Sequence, residues 1–426
     1  MHLHGLENHP MKPTNLPHMN RQLDLFSEVL HAYAPGEGGA LSNQELYRLV
    51  ASRADLDPAV LTERAPVGAD GQMHNLFARK VRWYQQTLRK AGIIQRVPGE
   101  RGVWKLTQPA GKDLSRISDG VSVVGVSTDL GVAILGSCET VFSAIDAPIC
   151  LMLTSLPYPL AKPRAYGNPP ESEYVDWACR VIEPIVRNLV RGGSICINVS
   201  NDVMIAGLPA RTMYLERLTI ALHDRLGLYL VDRLIWENRS KAPGPVQWAS
   251  LKRYMLNVAW EPVLWFTNSP RDLRSDNRRV LQSHTEKHLK LIANGGEQRN
   301  ASFSDGAYTL RTGSFGNPTE GKIPKNVLQF GHACKSQREY KRLARAAGLP
   351  VHGAPMPLSL AKFLIEFTTE PGDLVADICA GSLTTAVGCE ELGRRWICTD
   401  NIAEYIIGGG LRLSNAPGYR HHLLAA

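Results

Sequence analysis

The stretch "DLVADICAGSLTTAVGCEELGRRWICTD", residues 373–400, decides the fold. An apolar run closes at Asp377, the small residues Ala380, Gly381 and Ser382 make a turn, Thr384 to Leu392 reads as a helix, and a second apolar run ends at Asp400. A glycine-bearing turn between strand and helix lets backbone amides face a ligand. Such turns also join strands to helices where nothing binds. The acid that ends the following strand sharpens the reading, because a carboxylate there accepts hydrogen bonds from ribose hydroxyls, and Asp377 would close the first strand at the same crevice.

Working outward, the alternation recurs. Further apolar runs of strand length fall at 131–136, 149–155, 193–200, 228–236 and 257–267, which with 373–381 and 394–400 makes seven. Helical stretches such as "YVDWACRVIEPIVRNLV" and "LPARTMYLERLTIALHDRLG" lie between them. Seven strands with intervening helices predict an α/β, doubly wound, Rossmann-like sheet. The run at 149–155 leads straight into Ser155, Leu156, Pro157 and Tyr158, so a buried strand ends in a hydroxyl, a stiff turn and an aromatic ring.

The rest of the chain carries different signals. Residues 1–36, with Pro10, Pro13, Pro17 and Pro35 and one apolar patch "LDLFSEVLHAY", read as a loose arm with room for one helix. From Leu41, Ser42 and Glu45 form a capping-box pattern. A second helical run, "LFARKVRWYQQTLRKAGII", stops at Gly92, and "RVPGERGVWKLT" reads as two short strands about a turn. Helices followed by a two-stranded wing predict a winged helix over 37–110. Residues 79–105 hold eight Lys or Arg against one acid, and 268–345 hold fifteen against seven. The net charge of +8 over 426 residues favours an anionic partner. Eight cysteines without a C-x-x-C pair argue for reduced thiols and against a metal site. No signal segment or membrane-length apolar run is evident, which predicts a cytoplasmic protein with no membrane partner.

At this point the sequence resembles the DNA amino-methyltransferases, which use S-adenosyl-L-methionine to methylate the exocyclic nitrogen of cytosine or adenine. Their cofactor turn, usually Asp-Pro-Phe-Ala-Gly-Ser-Gly-Thr-Thr, matches Asp377, Ile378, Cys379, Ala380, Gly381, Ser382, Leu383, Thr384 and Thr385, and Asp400 corresponds to the ribose-binding acid. Their catalytic tetrapeptide, Ser-Pro-Pro-Tyr or Asp-Pro-Pro-Tyr, matches Ser155, Leu156, Pro157 and Tyr158. The segment with His352, Pro355 and Pro357 is similar to the one that precedes the cofactor turn, and Gly136 stands where the family places a Gly-Asp pair near adenine. The catalytic motif comes first, which resembles the circularly permuted order of the beta class. The likeness covers about residues 125–410, and the first domain resembles the Mrr-type N-terminal domain.

The resemblance implies a flexible arm at 1–36, a winged-helix DNA-binding domain at 37–110, a catalytic half at 125–267, a basic target-recognition region at 268–345, a cofactor half at 346–410 and a tail at 411–426. Ser155 and the Leu156 carbonyl would accept the two amino hydrogens of a flipped base, with Tyr158 stacked on it. Lys162, Arg164, Asn238, Lys241, Arg253, Arg278 and Arg279 are the expected DNA contacts. Leucine at 156 leaves the turn freer than proline would. The function implied is cytosine-N4 methylation of double-stranded DNA, alternatively adenine-N6 methylation or DNA binding by a catalytically degenerate chain. A homodimer and a cognate restriction endonuclease are compatible partners, and an orphan role fits equally.

Overall fold

The computed structural model describes residues 25–423 apart from 27, 34–38, 68–70, 108–113, 161–163, 239–240 and 333. Two units emerge, residues 1–108 with 421–426, and residues 109–420.

In the smaller unit the capping box forms as its spacing requires. Ser42 Oγ accepts from Glu45 N, and Glu45 Oε2 accepts from Ser42 N at 2.8 Å, which starts the helix Asn43–Arg53. The helix Leu76–Lys90 begins on Asn75, whose side chain accepts from Ala78 N at 2.6 Å. Ile94–Arg96 and Val103–Leu106 pair antiparallel, and Leu41–Ser42 adds a third strand, giving the expected wing. Trp104 is buried there, with the guanidinium groups of Arg89 and Arg96 over its ring. The one helix allowed for in the arm forms at the apolar patch, and it is packed, not loose. Phe26, Val29, Leu30 and Tyr33 are buried, Phe26 edge-on to Tyr84 and Tyr33 accepting from Gln85, because their spacing makes one apolar helical face. Residues 1–24 lie outside the described part.

The larger unit is built on a ten-stranded sheet. Numbered along the chain, its strands are β1 (Ser122–Ser127), β2 (Gly131–Gly136), β3 (Ile149–Ser155), β4 (Leu189–Asn198), β5 (Tyr229–Glu237), β6 (Trp260–Thr267), β7 (Val327–Gln329), β8 (Leu374–Asp377) and β9 (Arg395–Asp400). These nine lie wholly within the unit, in the order β7-β5-β6-β4-β3-β8-β9-β2-β1. Strands β4, β3, β8, β9 and β2 are parallel; β6 runs against β4, β5 against β6, and β1 against β2. All seven strands expected from the sequence are in this sheet, including Gly131–Gly136 as neighbour of β9.

The helices are α1 (Cys138–Ser143), α2 (Glu171–Asn188), α3 (Tyr214–Leu226), α4 (Glu286–Ala293), α5 (Lys335–Ala346), α6 (Leu358–Thr368), α7 (Thr384–Leu392) and α8 (Ala403–Gly410). Tyr174, Ile182, Leu218 and Leu222 of α2 and α3 pack on Met152, Ile195 and Ile197 of β3 and β4, while α6 lies against both strands and against α7. β3 is followed by α2 and then β4, its outer neighbour on one side. β8 is followed by α7 and then β9, on the other side. The connections therefore diverge between β3 and β8, the switch point where open α/β sheets bind ligands.

One boundary moves. Residues 268–345 were expected to form a single basic region, but α5 packs with the cofactor half: Tyr340 OH accepts from His352 N at 2.9 Å and Gln337 donates to the Met356 carbonyl at 2.6 Å. The apolar face of that helix, with Tyr340 and Ala344 buried, outweighs its basic composition.

Candidate functional site: a cavity at the switch point

A cavity of about 470 Å³ opens at the carboxyl ends of β3, β8, β9 and β2. Both the Ser155–Tyr158 turn and the 377–385 turn line it, although more than 200 residues separate them in the chain.

On the 377–385 side, Asp400 Oδ2 accepts from Gly381 N at 2.8 Å and Oδ1 from Ile402 N at 2.9 Å. A carboxylate offers about four lone-pair positions, so acceptor capacity is left over at the cavity wall. Burial lifts its pKa to about 6. Asp377 is also raised by burial to about 6, but its oxygens hold the turn, taking Cys379 N at 3.1 Å and Thr385 Oγ1 at 2.6 Å. Gly381 has φ +49°, and a Cβ there would stand 3.1 Å from His352 Nε2. The His352 ring therefore covers the turn. Burial drives its pKa down to about 4, so it is neutral, stacked on Tyr166 at 5.4 Å and edge-on to Tyr405 at 4.6 Å.

Leu383 takes φ +56°, the conformation that favours glycine, at a cost of about 1–2 kcal/mol. Its fully buried side chain fits because α8 presents Gly409, where a Cβ would lie 2.8 Å from Leu383 Cγ. Ile378, Cys379, Ala380, Ser382 and Thr384 line the wall, as do Gly136 and Pro355. Pro357 does not: it is buried at the N-cap of α6, where its fixed φ suits a helix start, and Ala354 and Met356 face the cavity instead.

The cavity size, the spare acceptor capacity of Asp400 and the close approach to the backbone that Gly381 allows fit S-adenosylmethionine. Asp400 would hold ribose hydroxyls, and the Gly381 turn with His352 would hold the remainder.

On the other side, Ser155 ends β3 in register with Asn198 at the end of β4. Ser155 Oγ lies 3.2 Å from Asn198 Oδ1, and Tyr158 OH lies 3.0 Å from the same atom and 2.9 Å from Glu261 Oε2. Lys241 Nζ pairs with Glu261 Oε1 at 2.7 Å. Tyr158 has one hydrogen, and the carboxylate is its stronger acceptor. Its proton therefore goes to Glu261, Asn198 Oδ1 takes the Ser155 proton, and the Ser155 lone pairs are left for another donor. Burial, then Glu261, holds the Tyr158 pKa far above its ordinary value, so the phenol keeps its proton. Leu156 is buried among core residues.

Sequence reading missed Asn198, Glu261 and Tyr405. The first two had a signal, since each is a polar residue placed inside or at the end of an apolar run, and Tyr405 had none; Tyr166, which its closeness to the catalytic turn marks for a loop over the base, lines the cavity stacked on His352.

The expected DNA contacts separate in space. Lys162 lies outside the described residues, while Arg164 and Arg253 are exposed. Asn238 is buried, and its backbone N–H donates to the Ala259 carbonyl at 2.9 Å, so it holds a loop neck instead of facing outward. Lys241 is committed to Glu261. Arg278 is held by its neighbour Asp276, and Arg279 is largely covered, donating to Glu370 at 2.6 Å and to the Arg274 carbonyl at 3.1 Å. Charge counting could not see these local acceptors.

Across residues 149–407 the chain matches the profile of the family described as DNA methylase, and across 24–116 that of the Mrr N-terminal domain. It is 32% identical over 284 residues to the type II methyltransferase M.PvuII of Proteus hauseri, covering 65% of this chain and 81% of that protein. With the DNA adenine methyltransferase YhdJ of Escherichia coli (strain K12) it shares 25% over 256 residues, 60% of this chain and 72% of that one. Among solved structures, the cytosine-N4-specific PvuII DNA methyltransferase aligns with a TM-score of 0.53 at 27% identity, covering 68% of this chain and 90% of that one.

Proposed function

The chain belongs to the DNA methylase family and is an S-adenosylmethionine-dependent DNA methyltransferase; from that premise we propose that its target is the N4 amine of cytosine, flipped out of duplex DNA. The observation that carries the reading is the orientation of Ser155. With its own proton given to Asn198, Ser155 Oγ can only accept, and by holding one amino hydrogen it helps to draw the nitrogen lone pair out of conjugation with the ring. The Leu156 carbonyl takes the second. Tyr158, immobilised through its hydroxyl by Glu261, which Lys241 holds in turn, is the rigid wall on which the base stacks.

When bound, S-adenosylmethionine supplies a methyl group on an electrophilic sulfonium. The protein's part is placement at roughly 3–3.5 Å and fixed acceptors for the amine, without a covalent intermediate. Asn198, an amide, takes no proton, so the proton released by the amine leaves through water. The serine that opens the tetrapeptide and the likeness to a cytosine-N4-specific enzyme support cytosine over adenine. The reading extends to a bacterial cytoplasmic enzyme, and the type II relative makes a cognate restriction endonuclease a natural partner. No helix among the described residues is long and apolar enough to cross a membrane.

Mass analysis of nucleosides from DNA incubated with the enzyme and cofactor should give N4-methylcytosine. N6-methyladenine alone would overturn the base assignment. Ser155→Ala should abolish methylation while retaining cofactor binding by calorimetry; full activity in that variant would remove the serine from the mechanism.

A further inference from the structure

Between β5 and β6 the chain leaves the sheet as a loop whose neck is closed by backbone hydrogen bonds from Asn238 N to Ala259 O at 2.9 Å and from Val258 N to Gly244 O at 2.8 Å. The stems end on the catalytic network. Lys241 lies on one and Glu261 just inside the other; Lys241 donates to Glu261, which accepts from the Tyr158 hydroxyl.

Beyond the neck, one helical turn at Val246–Leu251 folds back through a hydrogen bond from Tyr254 N to Trp248 O at 2.8 Å. The tip is thus internally ordered, with the Trp248 and Tyr254 rings stacked at 6.5 Å. Yet its apolar side chains serve no core: Leu251 is 68% exposed, Tyr254 70% and Leu256 89%. Lys252 and Arg253 flank them, exposed and without an ion pair among the described residues.

An ordered apolar tip that carries two cations beside its apolar side chains, rooted beside a base pocket, has the chemistry of a side-chain wedge that enters a base stack while its neighbours meet phosphates. A second copy of this chain is the other occupant an apolar tip would fit. A two-fold contact through this tip would gather two copies of Lys252 and Arg253 at one apolar contact, and that excess of like charge disfavours the pairing.

We propose that the loop tip, residues 246–256, is a wedge that fills the gap left in the duplex when the target base is drawn into the crevice, with Tyr254 and Leu256 in the stack and Lys252 and Arg253 on the flanking phosphates. This rests on the reading of the chain as a methyltransferase of flipped bases.

The test uses the full-length enzyme and a duplex carrying the sequence that the wild type is found to methylate, with pyrrolo-cytosine at the target for fluorescence and unmodified cytosine for rates. Finding no methylated base in any DNA would sink the parent reading before the wedge is tested. The double variant Tyr254→Ala, Leu256→Ala should lose the fluorescence rise on binding and at least about tenfold in methylation of the paired duplex. A target placed in a mismatch, already unpaired, should restore most of the rate. Cofactor affinity by calorimetry should not change, since both side chains are exposed. Wild-type rates on the paired duplex would overturn the wedge, as would an equal loss on the mismatched one, or a dimer-to-monomer shift with base flipping intact.

Discussion

Asp400 and Asp377 are two carboxylates that burial lifts to about 6. Accepting from ribose hydroxyls favours the ionised form of Asp400, so cofactor affinity should weaken as pH falls through 6, approaching tenfold per unit for each proton taken up. Calorimetry across pH of about 5 to 7 reads this, and Asp400→Asn should bind weakly and lose its share of the slope. Stability of the free protein has the opposite sign. Both acids bind their protons more tightly folded than unfolded, so their contribution is greatest below the ordinary aspartate value of 3.8 and falls as pH rises toward 6. The carboxylates were legible in the sequence, each closing an apolar run. The accommodation of the departures at 156 and 383 was not. Leucine at 156 reads as a loosened turn, but its side chain is anchored in the core. Leucine at 383 reads as a damaged glycine, but the backbone keeps the left-handed form and Gly409 makes the space. That match joins positions on different elements, which no local pattern contains.

At the level of elements, apolar periodicity found seven strands of the main sheet and overlooked two of those that lie wholly in this unit. β1 carries Gly125 and is bracketed by serines, and β7 has three residues at the sheet edge, so each is too short or too polar to stand out. The basic region shows the limit of charge counting. Arg274 meets Asp373 and Arg279 meets Glu370, so two of its cations fasten it to the turn before β8. Arg279→Ala should therefore lower stability by about 1 kcal/mol in denaturant titration and leave the salt dependence of DNA affinity unchanged. A slope shallower by about one unit would instead place this guanidinium on a phosphate.

For the molecule as a whole, the winged unit adds exposed cations, among them Arg79, Lys80 and Lys105, that the catalytic unit does not need for chemistry. A chain lacking residues 1–108 should bind S-adenosylmethionine as before but hold DNA more weakly and with a shallower salt slope. Unchanged DNA binding after truncation would exclude the winged unit from the grip. The permuted order also bears on how the chain is made. The central pairing of the sheet joins Leu151 of β3 to Val375 of β8, so more than 200 residues must be translated after β3 before its partner exists. At about 5–20 residues per second this leaves one edge of an apolar strand without its neighbour for roughly ten seconds or more. During that interval the nascent catalytic half offers an unpaired strand edge to other chains, and chaperone occupancy on the ribosome should be highest before the 377–385 turn emerges.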